Sequence, residues 1–124
     1  MTFEAEWVRC SPWLDAALAH SGRSHNLDDV AAMVRMGQAY FWPAANGAGV
    51  ALIEDNPQDR RLVIWLAGGE RSALEHELLP QVEDWGRANG CTLALIVGRP
   101  GWERSLKTYG YAPVARLIAK DLRT

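Results

Sequence analysis

The sequence predicts one α/β domain, residues 1–124, in which helices cover both faces of a single mixed sheet. Three observations carry that prediction. A chain of 124 residues suits one hydrophobic core, since single domains commonly run to about 100–150 residues. The hydrophobic pattern switches between the two-residue period of strands and the 3.6-residue period of helices, with Gly, Pro and Asn at the changes. The resulting order, β–α–α–β–β–β–α–β–α–β, sets a three-strand antiparallel meander ahead of a β-α-β unit, which makes the sheet mixed.

"TFEAEWV" alternates apolar and polar residues and reads as a first strand over residues 2–9. In "CSPWLDAALAHSG", Ser11 stands at an N-cap, Pro12 at the first helical position and Gly22 just past the end. "NLDDVAAMVRMG" is a second helix, capped by Asn26, with Asp28 and Asp29 in the first turn, Gly37 as the stop and an apolar stripe of Leu27, Val30, Ala31 and Val34. The strands "QAYFWPA" and "GVALIED" flank Asn46-Gly47, a strong hairpin signal, and "NPQD" turns the chain into "RRLVIWLA". Pro43 ends its strand or marks a sheet edge, because it cannot donate to a ladder.

"SALEHELLPQVEDWGRANG" is the longest predicted helix. Ser72 and Glu75 make a capping-box pattern, Leu74, Leu78, Val82 and Trp85 form its stripe, Gly90 stops it, and Pro80 should bend it. "CTLALIVG" is a continuous apolar run, as in a strand covered on both faces. A short helix, "PGWERSLKTYG", and a closing strand, "YAPVARLIAKDL", complete the order.

Composition excludes several classes. The net charge of −2 provides no general basic field for capturing nucleic acid. No apolar run approaches the roughly 20 residues of a membrane helix, and the first residues lack the pattern of a secretory leader, so a cytoplasmic protein is expected. Cys10 and Cys91 are expected as free thiols, and no metal-ligand spacing or hydrolase elbow occurs. The six tryptophans fall in nearly every element, which predicts four or five in the core and one or two at a partner surface.

The element order, with a small helix followed by Gly-Tyr and a final strand, resembles the GNAT superfamily of acyl-CoA-dependent N-acyltransferases. The likeness is concentrated in residues 62–122, "LVIWLAGG…LEHELLPQVEDWGRANGCTLALIVGR…LKTYGY". The compact size and the stretch "GRPGWERSLKTYGY" are similar to small GNAT-like proteins of phage and prophage genomes. The resemblance implies acetyl-CoA as cofactor and a primary amine of a small molecule or protein as acceptor. It implies a V-shaped gap between the strands Leu62–Ala67 and Cys91–Gly98, filled by the pantetheine arm. Trp65, Leu66 and Ala67 are then the pantetheine-pairing strand end. Gly68, Gly69, Arg71, Ser72 and Ala73 are the candidate pyrophosphate site, where a helix N-terminus favours an anion.

The chain departs from the family pattern at informative places. The two loop glycines map to Ala73 and Glu75, and the tyrosine four residues before Gly110 is Leu106, which has no proton to give. Tyr109, three residues on, is the shifted candidate acid; Glu54, beside Asp55, is the candidate base. Arg99 and Trp102 replace an asparagine and a small residue. Each candidate has a plainer reading: Gly68-Gly69 as a strand-to-helix turn, Glu54-Asp55 as a solvated turn, Tyr109 as a packed helix-end aromatic. Three functional readings follow. One is an active N-acyltransferase. Another is a catalytically silent GNAT-like binding or assembly module, including a phage structural or accessory protein, with Trp42 or Trp102 exposed beside arginines such as Arg99 and Arg104. The last is an unrelated α+β binding domain whose sheet has no gap.

Overall fold

The computed structural model describes residues 2–98 and 101–123. A four-stranded mixed sheet, in the order β1-β2-β3-β4, carries helices on both faces, as the sequence predicts. The elements are α1 (Phe3–His20), α2 (Leu27–Arg35), β1 (Tyr40–Ala44), β2 (Gly47–Asp55), β3 (Arg60–Gly69), a π-helical segment (Ala73–Leu78), α3 (Leu79–Ala88), β4 (Leu93–Ile96) and α4 (Trp102–Lys107).

The expected first strand is instead the start of α1. Trp7, Cys10, Leu14, Ala17 and Leu18 are buried along one helical stripe that runs straight through the predicted break at Ser11-Pro12. Thr2 caps this helix by accepting from the Ala5 N–H, while Ser11 lies inside it and donates to the Trp7 carbonyl at 2.6 Å. Pro12 is tolerated because the carbonyl it leaves without a donor belongs to Val8, a residue 71% exposed. The second helix follows its sequence signals. Asn26 and Asp29 close a reciprocal capping box, at 2.8 and 2.9 Å, and Gly37 follows the helix with φ +75°.

The meander forms through Asn46-Gly47, and β1 with its Pro43 is an edge strand. Between β2 and β3 the register slips: Val50 faces Leu66 but Ala51 faces Ile64, so Trp65 is an extra residue on β3. The bulge turns Trp65 and Leu66 toward the same α1-side core, while Leu62 and Ile64 belong to the core on the opposite face. Gly86 lets α3 sit close against β3, since a Cβ there would meet the Leu62 Cδ2 at 2.9 Å.

Three further expectations change. Ser72 makes no capping bond; it is already helical, and the first turn closes through Leu74 N–H to the Glu70 carbonyl at 3.1 Å. Pro80, expected mid-helix, stands in the first turn of α3 after the π-helical turns, where its missing donor is harmless. Residues 112–123 make no strand: Val114, Leu117, Ile118 and Leu122 are 76–92% exposed. With no strand beside it, β4 is not covered as its apolar run predicts, and Leu93 is 41% exposed. No helix among the described residues is long and apolar enough to cross a membrane. Both cysteines are free thiols, and burial pushes the Cys10 thiol up.

Candidate functional site

The site starts from a change in pairing. β3 and β4 run parallel from Arg61 opposite Leu93 to Ile64 opposite Ile96, and the Val97 N–H then donates to the Ile64 carbonyl at 3.0 Å. Beyond that bond β3 continues from Trp65 to Gly69 with no β4 partner among the described residues. The bulge at Trp65 sits at this parting point. The gap expected between these two strands is therefore present.

On the α3 side of the parting lies a cavity of about 130 Å3. Its floor is Gly49, Ala51, Ile64 and Ala67; its walls are Leu74, Leu78 and Val82 from the long helix and Trp102 and Leu106 from α4. Such a cavity, mainly apolar with a few polar groups, is the usual form of a ligand site. The polar groups here are Arg71, Glu75, Ser105 and the Trp42 indole. The Ser105 hydroxyl is used locally, donating to the Trp102 carbonyl at 3.2 Å. The Trp42 Nε1 is buried with no acceptor, an arrangement that folded proteins seldom leave unanswered. Arg71 makes no ion pair among the described residues and stands exposed at the cavity mouth.

The acyl-CoA cofactor that the sequence resemblance implies would meet these groups at the helix opening. Arg71 and Ser72 open the helix, so their amides and that of Ala73 lie in the first turn, where intrahelical acceptors are lacking. Ala73, in place of a glycine, does not fill that cradle: its side chain is 4% exposed and is turned onto Gly47. Glu75 does line the cavity, so one carboxylate faces the space below the cradle.

The structure places the remaining candidates as follows. Ala67, Gly68 and Gly69 line the cavity, whereas Trp65 and Leu66 are not part of its lining and their side chains pack toward α1. Gly68 and Gly69 are the last residues of β3, paired with Ala48 and Gly47, and a Cβ on Gly68 would lie 2.5 Å from the Trp13 carbonyl oxygen. They thus allow α1 and the β1–β2 turn to approach closely. Tyr109 is outside the cavity lining. Its phenol is 3.1 Å from His76 Nε2, joining the end of α4 to the π-helical segment. Glu54 is exposed near the β2–β3 turn, where it accepts from the Asn56 side chain at 3.2 Å, three residues past the cavity-lining Ala51. Ser105 was not singled out by sequence; Trp42, expected at a partner surface, and Glu75, mapped to a loop-glycine position, instead line the cavity. Trp7 is buried and the other five tryptophans are half-buried; Trp42 and Trp102 turn toward the cavity instead of forming an exposed patch. Arg99 lies outside the described residues.

No protein-family model and no curated protein sequence matches the chain. Solved structures do. The protein TTHA1254 from Thermus thermophilus superposes with a TM-score of 0.67 at 14% identity, over 99% of this chain and 95% of that one. A Trypanosoma brucei acetyltransferase gives 0.60 at 14% identity over 78% of each chain. An aminoglycoside N-acetyltransferase solved in complex with CoA gives 0.58 at 16% identity, over 79% of this chain and 86% of that one. The chain has the GNAT acetyltransferase fold.

Proposed function

We propose that the protein is an acyl-CoA-dependent N-acyltransferase whose cofactor lies in the cavity between the parted strands and the α3–α4 face. The carrying observation is the parting of β3 from β4 directly after the Val97–Ile64 bond, with a partly apolar cavity at the opening. Arg71 and the amides of Arg71, Ser72 and Ala73 hold the pyrophosphate, by charge and by the helix N-terminus. The main chain of Trp65–Ala67 would hold the amide-bearing arm, and the unpartnered Trp42 Nε1 would be free to donate to it. When bound, the cofactor supplies an activated acyl thioester. Tyr109, tied to His76, would be the group to give a proton to the leaving sulfur, and Glu54, beyond the cavity-lining Ala51, would take one from an amine acceptor.

Calorimetric titration with acetyl-CoA and free CoA tests this reading. Micromolar binding that weakens about tenfold in Arg71→Ala is expected, as for loss of one charge-assisted contact worth roughly 1.5 kcal/mol. No heat at millimolar cofactor would sink it. A second reading rests on Leu106, which stands in the cavity wall without a proton to give: a module that binds but does not transfer. Cofactor binding with no amine-dependent release of free thiol, across an acceptor screen, would select it.

A further inference from the structure

The opening between β3 and β4 has two faces, and the cavity takes up one of them. Trp65 is the first residue of β3 past the last bond to β4, so it borders the opening, and its side chain packs on the α1 side, away from the cavity. A donor seated in the cavity leaves that other face for the group that attacks its thioester. The side chain standing on Trp65 there is His25, from the loop that joins α1 to α2. Its imidazole meets the indole edge-to-face, with ring centroids 4.9 Å apart and planes at 74°.

Three features suit this imidazole to proton transfer. It is half-buried, so the ring is held on Trp65 while part of it stays open to solvent. The Ser24 Oγ lies 2.8 Å from its Nδ1, and with the Nδ1–H donating to that oxygen, Nε2 keeps its lone pair. No ion pair among the described residues holds the ring in its charged form. Of the charged side chains around the loop, Arg23 is taken by Asp15 of α1 at 3.1 Å, Asp29 of α2 by the capping box with Asn26, and Asp28 is exposed. Glu54 is farther off. It stands opposite Arg61, four residues before Trp65 and about 13 Å along β3 from the opening, so it can take a proton from there only through a nearer group.

The geometry points to His25 as the group that first takes the proton of the incoming amine, on the side of the opening opposite the donor. This rests on the acyltransferase reading. As the amine nitrogen bonds to the thioester carbon, its proton passes to Nε2. The carbon–sulfur bond then breaks and the sulfur takes a proton from Tyr109. Through solvent, the proton on the imidazolium replaces the one that Tyr109 gave, so the net transfer is from nitrogen to sulfur.

Bromoacetyl-CoA tests the placement without an identified acceptor. It sets an electrophilic carbon where the acyl group lies, and a nitrogen facing that carbon displaces bromide. Peptide mapping of the full chain is expected to find His25 alkylated, with protection by excess CoA and with faster labelling as pH rises from about 5 to 8, the range in which imidazole ordinarily loses its proton. His25→Gln should lose the label and keep the parent's CoA affinity in calorimetry. Its release of thiol from acetyl-CoA, driven by ethylamine, should be slower by about a hundredfold or more. A CoA-protected label on another residue, no label on a chain that binds CoA, or equal ethylamine-driven release by parent and variant would each overturn the proposal and leave the cofactor reading standing. No CoA binding would remove both.

Discussion

The two faces of the sheet are finished to different degrees. Toward α1 and α2, Cys10, Leu14, Leu18, Val30, Ala48 and Val50 have no exposed surface, and Phe3, Trp7 and Phe41 stack around them with ring centroids 5.1–5.9 Å apart. Toward α3 and α4, the buried residues Ile64, Leu79 and Val82 stand round a cavity, the helix opens with π-helical turns, and β4 is half-exposed. Protein interiors are close-packed, so a hollow confined to one face sets that face apart from the other.

The sharpest way to break that comparison is to cut the same amount from each side. Leu14→Ala removes a side chain with no exposed surface and should cost about 3 kcal/mol. Leu106→Ala, half-buried on the cavity wall, should cost about 1 kcal/mol, because its surroundings already lack partners. Urea unfolding measures both, and equal losses would mean that the hollow face is as tightly packed as the other. Filling the hollow sharpens the point. Ala67→Leu extends a floor residue into the cavity and should leave stability within about 1.5 kcal/mol, while CoA affinity drops tenfold or more. Unchanged affinity would place the cofactor elsewhere.

The second helix and the hairpin at Asn46-Gly47 were legible because each rests on local chemistry, an Asx cap and a turn dipeptide, whereas the opening between β3 and β4 was expected only from the family resemblance. The N-terminal segment was not. Over residues 3–9 the sequence satisfies both periods, since Phe3 and Trp7 belong to an alternating run and to an i, i+4 stripe; only the continuation through Cys10, Leu14 and Leu18 decides it, and Ser11-Pro12 gave a false start. The π-helical turns before Pro80 were illegible for a related reason: a proline announces disruption but not whether the helix bends, ends or widens ahead of it. At the site, the candidate residues Arg71–Ala73 came from the family resemblance, whereas Trp42 comes from a strand three elements earlier and reaches the cavity only through tertiary packing.

Tyr111 marks the border between the hollow face and the exposed residues 112–123, and it offers the smallest of these tests. Its phenol is partly buried and donates to Glu83 at 2.6 Å. Burial first, then that hydrogen bond and the negative charge behind it, push its pKa well above the ordinary phenol value. A folded-state value raised above the unfolded one means that the neutral phenol stabilises the fold. That contribution is fully present below about pH 10, the unfolded value, and is lost as pH rises toward and through the raised folded value. Tyr111→Phe should therefore cost about 1 kcal/mol at neutral pH, by leaving the carboxylate without its donor, and the variant should lose less stability than the parent above pH 10. Thermal unfolding midpoints from pH 7 to 11 check both halves. Parallel alkaline limbs would show that Tyr111 does not tie that segment to α3, and the border between the two regions would have to be drawn earlier, at the Leu106 carbonyl that accepts from the Tyr111 N–H.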